Sequence, residues 1–367
     1  MRIGIITQPL YNNYGGILQN WALQQILRKL GHTPYTIRVR TDSDDPLWAI
    51  RWLIHDVRCL KDRLRGLDTK FINPIGYYDS PQFAFRRFVS QSIVRTRRYA
   101  SPPMKAVSDY RLDAVITGSD QVWRPKYNRH IEDQFLGFVK DSRMRKVAYA
   151  ASFGAADWEY DSSLEETCRP LAQQIHAVSV REQSALELCR RHLGIEAEWV
   201  LDPTLLLTHT DYDSICLPRQ IAEPYVFAYI LDDNDILHRQ IEAEAKRRGC
   251  RLVYKQADGD VEKGDSIELW LSLIAHADVV FTNSFHGTAF SMIFQRQFVT
   301  FVHNGRGSAR FDTLRAVFPI AHRIIEMGEA LPQTDVDYNA VNAVIDRERL
   351  RSTDWLRHAL AGNPSVG

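Results

Sequence analysis

Residues 278–294, DVVFTNSFHGTAFSMIF, run a short strand that is apolar on both faces almost directly into an apolar helix. Such a strand needs cover on both sides, and an antiparallel sheet with one wet face does not supply it. A parallel sheet between two layers of helices does. The same alternation recurs along the chain. A strand at 2–7 (RIGIIT) is followed by a helical period at Ile17, Leu18, Trp21, Ala22, Leu23, Ile26, Leu27 and Leu30, closed by Gly31, and then by a strand at about 34–39. Strands at 113–117, 146–151, 177–180 and 198–201, with helices near 161–174 and 182–192, extend this first half. A second half repeats the scheme with strands at 225–231, 251–254, 278–282 and 297–302 and helices at 234–248, 267–276 and 286–294.

A chain of 367 residues is too long for one core of ordinary size. The expected division is an N-terminal Rossmann-like domain over 1–207, a linker over 208–224 holding Pro218 and Pro224, a C-terminal Rossmann-like domain over 225–330, and a helical tail over 331–367. Residues 42–105 break the rhythm with amphipathic pieces at 47–65 and 82–92 and many arginines, and are expected to form an insertion in the first domain. The fold class is α/β, with two parallel sheets facing a central cleft.

The formal net charge of +1 gives no whole-chain field for nucleic acid or an anionic membrane, so anion recognition must be local. No stretch approaches the roughly 20 apolar residues of a membrane span. The opening MRIGIITQPL is expected to be a buried strand and not a secretion signal. Cys59, Cys168, Cys189, Cys216 and Cys250 are scattered without zinc-ligand spacing, so free thiols in a reducing cytoplasm are expected. The histidines show no paired spacing on one helical face, so no metal site is expected. Asp232-Asp233-Asn234-Asp235 is expected to start a helix and not to hold a metal.

Ligands of doubly wound sheets sit beyond the carboxyl ends of strands, which makes the strand-to-helix junctions the candidate sites. At 282–288, Asn283 or Ser284 can cap the helix, and the free N–H groups behind it suit a phosphate or carboxylate. His286, in the first turn, can move a proton there; the competing account is a packed polar turn with a structural histidine. Arg181 follows the strand at 177–180, and its fork suits an anion, unless it only pairs with Glu182. In VITGSDQVW, 115–123, Gly118 allows close approach and Asp120 can act as a base or merely close an Asx turn. The loop Asn12-Asn13-Tyr14-Gly15-Gly16 has neither a Walker pattern nor G-x-G-x-x-G; its Asn and Tyr, with Gln19, suit sugar hydroxyls. Arg306, Arg310 and Arg315 lie beyond the strand at 297–302, and at least one is expected to face the cleft; Arg315 also fits a solvated helix face.

Taken together these segments resemble the polysaccharide pyruvyltransferase family. The matching pieces are the Asn-Asn-Tyr-Gly-Gly loop, VITGSDQVW, YAASFG at 149–154, SVRE at 179–182, VLDPTLLL at 200–207, TNSFHGTAFSMIF and the arginines of 306–315, in order from residue 3 to about 318. The resemblance implies a GT-B-like pair of Rossmann-type domains. It also implies transfer of a carboxyethylidene group from phosphoenolpyruvate to two hydroxyls of one sugar, with phosphoenolpyruvate as co-substrate and no other cofactor. On this basis His286 and Asp120 are the catalytic candidates. Arg181, Asn283, Ser284, Gly287, Thr288, Arg310 and Arg306 are the donor-binding candidates, and Asn13, Tyr14, Gly15, Gly16, Gln19, Ser119 and Trp123 the acceptor-binding ones. Many members carry an Arg two residues before this His; here that position is Ser284, so Arg310 or Arg306 is the expected substitute. The expected partners are phosphoenolpyruvate and a sugar or lipid-linked oligosaccharide acceptor, with no nucleic acid. A lipid-linked acceptor would bring the protein to the inner membrane face, with the arginine-rich 51–65 as a contact. The alternatives are a GT-B glycosyltransferase with a nucleotide-sugar donor and a non-catalytic glycan-binding protein.

Overall fold

The computed structural model describes residues 1–11, 13–39, 81–232, 234–256, 265–302 and 308–362, with the backbone alone at 81–83. Strands β1 (Arg2–Ile6), β2 (Thr33–Val39), β3 (Arg95–Tyr99), β4 (Ala114–Thr117), β5 (Arg145–Ala151), β6 (Ala177–Val180) and β7 (Glu198–Trp199) form one parallel sheet in the order β3-β2-β1-β4-β5-β6-β7. Strands β8 (Tyr225–Ile230), β9 (Arg251–Gln256), β10 (Val279–Thr282), β11 (Gln297–Val302) and β12 (Ile324–Glu326) form a second, in the order β12-β11-β10-β8-β9. Every residue of β4, β8 and β10 is buried, as their unbroken apolar runs require. The chain reverses its direction of growth between β1 and β4 in one sheet and between β8 and β10 in the other. These two switch points are where such sheets leave a crevice.

The helices needed below are α1 (Tyr14–Lys29), α2 (Pro81–Ser92), α3 (Ser162–Ala172), α4 (Asp235–Arg247), α5 (Ile267–Ala275), α6 (Phe285–Ile293), α7 (Ala309–Val317) and α8 (Tyr338–Ala361). Side-chain caps set several of their starts. Asn234 Oδ1 accepts from the Ile236 and Leu237 N–H groups at 3.1 and 2.9 Å, so the acidic run there does open a helix; Asp233 itself lies outside the described residues. Asn13 caps α1, which starts three residues before the apolar period does.

Three elements depart from the sequence expectation. β3 lies within the stretch expected to be an insertion, and it forms the edge of the first sheet. The piece expected at 47–65 and Cys59 fall outside the described residues. The helix expected at 182–192 is helical only at Ser184–Leu188 and then widens into a looser turn through Leu193, ended by Gly194 at φ 64°. The helical tail is not peripheral. On α8, Ser352 Oγ accepts from Leu201 N at 3.0 Å, the Trp355 ring lies 6.0 Å from that of Tyr149, and the Ala359 carbonyl accepts from Arg145 Nε at 2.6 Å. One apolar cluster therefore runs through both halves, from Ile17, Trp21 and Tyr149 to Phe227, Phe290 and Trp355. Cys168 and Cys189 are buried free thiols, and Cys216 and Cys250 are free and half-buried. Among the described residues no helix is long and apolar enough to cross a membrane.

Candidate functional site

The turn from β10 into α6 is held by its own side chains. Thr282 Oγ1 donates to the Tyr229 carbonyl at 2.7 Å and accepts from Ser284 N at 3.1 Å. Ser284, not Asn283, is the cap, its Oγ accepting from Gly287 N at 3.3 Å. A Cβ on Gly287 would lie 2.3 Å from Thr282 Oγ1, so only glycine lets the helix begin this close to its strand. Thr288 Oγ1 donates to the Ser284 carbonyl at 3.1 Å and shares a hydrogen bond with Thr300 Oγ1 at 2.7 Å. Asn283 Oδ1 accepts from Leu231 N at 2.6 Å, and its Nδ2 donates to the Asp232 carbonyl at 3.2 Å. The side chains of Asn283, Ser284 and Thr288 thus all hold the turn itself. What the turn offers a ligand is His286 and the Phe285 and His286 N–H groups, which no carbonyl of their own helix can reach.

His286 projects into the seam between the two sheets. A Cβ on Gly15 of α1 would lie 1.9 Å from its Nδ1, so the imidazole occupies the space of a missing side chain. Its Nε2 is buried without a hydrogen-bond partner among the described residues and stands 3.8 Å from Asp202 Oδ2, too far for a hydrogen bond. Asp202 is fully buried. Its Oδ2 accepts from Ser119 Oγ at 2.8 Å and Arg181 Nη1 at 3.0 Å, and its Oδ1 accepts from the N–H and hydroxyl of Thr204 at 2.9 and 2.7 Å. Burial pushes this carboxyl's pKa up, but His286, Arg181 and the Thr204 N–H together hold it well below the usual carboxylate range. Burial works against the charge on Arg181, but Asp202 and then Asp120 and Glu182 raise its pKa above the ordinary value. The guanidinium also lies 4.8 Å from the Phe285 ring centroid, joining the two halves by a cation–π contact.

Asp120 sits at φ 78°, a left-handed conformation unusual for a residue with a side chain. Its carbonyl accepts from Val122 N at 2.7 Å and Ser152 N at 3.1 Å, which holds the backbone there. The carboxylate is 3.5 Å from Arg181 Nη2, and its Oδ2 lies 3.2 Å from where a Gly16 Cβ would stand. The Arg181–Glu182 pairing weighed from sequence is not what forms. Glu182 Oε1 instead accepts from Ser152 Oγ, Phe153 N and Gly154 N at 3.0, 2.7 and 3.0 Å. Arg310 of α7 is half-buried and its Nε has no partner among the described residues. Burial, and next the Arg181 guanidinium, bring its pKa down to about 10, against the pull of Glu182 and Asp120. Arg306 lies outside the described residues. Arg315 pairs with Asp312 and donates to the Ile324 carbonyl, so it braces α7.

The acceptor candidates divide sharply. Gly15 and Gly16 reach the cluster as bare backbone, packed against His286 and Asp120. Ser119 reaches it as a donor to Asp202. Asn13 caps α1, accepting from Gly16 N at 3.0 Å. Gln19 Nε2 donates to Thr7 Oγ1 and the Gly16 carbonyl, both at 2.9 Å. Tyr14 is buried, stacked on Trp270 at 5.0 Å and edge-on to Phe85 at 4.8 Å, and burial raises its hydroxyl pKa. Trp123 is fully buried, stacked on Phe135 at 4.8 Å, with Nε1 donating to the Gln134 carbonyl. Tyr14 and Trp123 are therefore core residues with no face for a sugar. Asp202 was not among the candidates. An acid between the apolar strand end Val200-Leu201 and Pro203 can be buried only with a cation or donors around it, and that was its signal. Among the described residues no group of three or more His, Cys, Asp or Glu side chains could hold a metal ion.

A sequence profile of the polysaccharide pyruvyl transferase family matches residues 13–305. No curated protein matches the chain. In fold it is similar to the UDP-GlcNAc 2-epimerase of Methanocaldococcus jannaschii, with a TM-score of 0.51 and 10% identity over 95% of this chain and 93% of that one. It is likewise similar to a putative UDP-N-acetylglucosamine 2-epimerase of Listeria monocytogenes, with a TM-score of 0.51 and 8% identity over 97% and 90% of the two chains. At such identities the likeness is one of architecture, two Rossmann-like domains of the GT-B kind.

Proposed function

Because this chain belongs to the polysaccharide pyruvyl transferase family, we propose that it moves a pyruvyl group from phosphoenolpyruvate onto two hydroxyls of one sugar, in a polysaccharide or its lipid-linked precursor, in the cytoplasm. The observation that carries this is the convergence of three groups with unfilled hydrogen-bonding atoms, brought in from the ends of β6 and β10 and from α7. These are His286 Nε2, Arg181 Nε and Arg310 Nε, set beside the first-turn N–H groups of α6. Phosphoenolpyruvate carries a phosphate and a carboxylate, and guanidinium forks with a helix start are a receptor for both. The family arginine two residues before the histidine is Ser284 here. Arg310, coming in from α7 beside Arg181, takes its place in this proposal.

The chemistry follows in two halves. A proton added to the methylene carbon gives the methyl group, and one sugar oxygen bonds to C2 as its own proton leaves. The C2–O bond to phosphate then breaks, the second sugar oxygen bonds to C2, and its proton passes through Asp120 to the departing phosphate. His286 serves as the acid and then the base, with Asp120 as the second proton acceptor. Asp202 keeps Arg181 in place, and its fixed negative charge faces the cation that develops at C2.

Calorimetry with phosphoenolpyruvate tests this, using wild type and His286→Ala and nucleotide sugars as competitors. Saturable binding that nucleotide sugars leave unchanged is expected, together with a loss of turnover of about 10²–10⁴-fold in His286→Ala. Binding of a nucleotide sugar and not of phosphoenolpyruvate would replace this donor with a glycosyl donor.

A further inference from the structure

Just past β5, the turn Ser152-Phe153-Gly154 grips the turn that carries Asp120. Ser152 N donates to the Asp120 carbonyl at 3.1 Å, and Trp123 N donates to the Ser152 carbonyl at 3.1 Å. A Cβ on Gly154 would lie 2.1 Å from Gln121 Oε1, so the turn is pressed onto the residue that follows Asp120. Left-handed backbone occurs on both sides of this contact at residues that carry side chains, Asp120 at φ 78° and Ala150 at φ 51°. Such conformations persist only where the surroundings over-determine them. Ala150 is held by Ser179, whose Oγ accepts from its N–H at 3.1 Å. The turn beyond it is held by Glu182. One oxygen of this fully buried carboxyl group, Oε1, accepts from the Ser152 hydroxyl and the Phe153 and Gly154 N–H groups at 3.0, 2.7 and 3.0 Å. A buried carboxyl is costly wherever a neutral side chain could pack in its place. No step of the pyruvyl transfer uses it.

We propose that Glu182 is a positioning residue for proton transfer: by fixing residues 152–154 it fixes the backbone of Asp120, and with it the aim of the Asp120 carboxylate. Its neighbours in the chain extend the hold in both directions. Arg181 N donates to the Ala151 carbonyl at 3.1 Å, which ties down the end of β5. Gln183 N donates to Thr313 Oγ1 at 3.0 Å, on the turn of α7 that follows Arg310. Three successive residues thus set the base, the Arg181 guanidinium and the helix that brings Arg310 relative to one another. Proton transfer depends steeply on such alignment, so a small shift of the Asp120 turn costs rate even with every reacting group present. The clamp stands on its own hydrogen bonds; its consequence for catalysis rests on pyruvyl transfer with Asp120 as the second proton acceptor.

The test compares the full wild-type chain with Glu182→Ala, which removes the shared acceptor, and Glu182→Gln, which keeps an oxygen there. Amide hydrogen exchange read by NMR reports the clamp. The informative group is the Ser152 N–H, which is bonded to Asp120 and not to Glu182. Its exchange is expected to speed up about tenfold or more in Glu182→Ala and to stay near wild type in Glu182→Gln. Turnover reports the consequence. Glu182→Ala is expected to lose about tenfold or more in kcat, with KM for phosphoenolpyruvate unchanged and most of kcat recovered in Glu182→Gln. In an Asp120→Ala background the same substitution is expected to cost nothing further. If Glu182→Ala does not fold, Glu182→Asp, which draws the acceptor back by one methylene, takes its place with the same expected pattern. Unaltered exchange at Ser152, a loss that falls on KM, or a loss that adds to that of Asp120→Ala would each overturn the proposal. If Asp120→Ala keeps full turnover, or wild type transfers no pyruvyl group, the proton role of Asp120 falls, and exchange at Ser152 still decides the clamp by itself.

Discussion

The starts of α1 and α6 can be laid over one another residue by residue. Asn13-Tyr14-Gly15-Gly16 and Ser284-Phe285-His286-Gly287 each give a polar cap, an aromatic ring, a variable position and a glycine. In both, the cap oxygen accepts from the N–H three residues on, and in both that glycine faces a side chain pressed close beneath it, Asp120 in one and Thr282 in the other. The two starts differ in the third place, where one has no side chain and the other has an imidazole. Those two positions meet. An imidazole set into the seam between the two halves therefore requires an absence on the opposite wall, and Gly15 is as much a part of this cluster as His286.

The comparison breaks most deeply at Asp202, the acid that both walls share. Asp202→Asn leaves the buried Arg181 with the 3.5 Å contact to Asp120 as its one ion pair among the described residues, and a loss of about 3–5 kcal/mol is expected from denaturant melts. The same carboxylate sets an acid dependence. Its folded pKa lies below the unfolded value of about 3.9, so its contribution is complete above that pH and drains away as pH falls toward the folded value. The stability gap between wild type and Asp202→Asn should therefore narrow on acidification below about pH 4. A gap independent of pH would show that Asp202 is not ionised in the fold.

Gly15→Ala comes next. Its methyl would sit 1.9 Å from Nδ1, and overpacking of about 1–3 kcal/mol is expected, with about a hundredfold loss of turnover as the imidazole is displaced. Adding His286→Ala should restore the stability and not the turnover. A fully active Gly15→Ala chain would end the pairing of the two positions. The smallest effects belong to the caps. Asn13→Ala and Ser284→Ala should each lower stability by about 1 kcal/mol, and similar losses would confirm that both starts use the cap in the same way.

Much of the frame was legible because apolar strands announce themselves. RIGIIT, YVFAYIL and DVVFT each carry enough adjacent apolar side chains to need burial on both faces, and the structure buries all of them but Leu231 at the end of its strand. β3 was illegible for the opposite reason. RTRRY has three arginines in five residues, tolerable only on a sheet edge, where no second neighbour covers it. Junction positions predicted His286, Arg181 and Asp120, since chain order and strand ends are enough to locate them. They did not predict direction within a junction. Trp123 follows Asp120 by three residues, and the left-handed turn at Asp120 sends the chain back so that the indole enters the core. Tyr14 was misjudged because the ring that fills its surroundings, Trp270, lies 256 residues away in the sequence.

The last helix has a consequence for the order of assembly. The second sheet and its helices are contained in residues 225–326, whereas one flank of the first sheet waits for α8, whose Trp355, Ser352 and Ala359 engage Tyr149, Leu201 and Arg145. On a ribosome, both halves thus wait for α8: one face of β5–β7 lacks its cover until that helix emerges, and Tyr338 at its start ties down the Ser291 and Arg296 carbonyls of the later-made half.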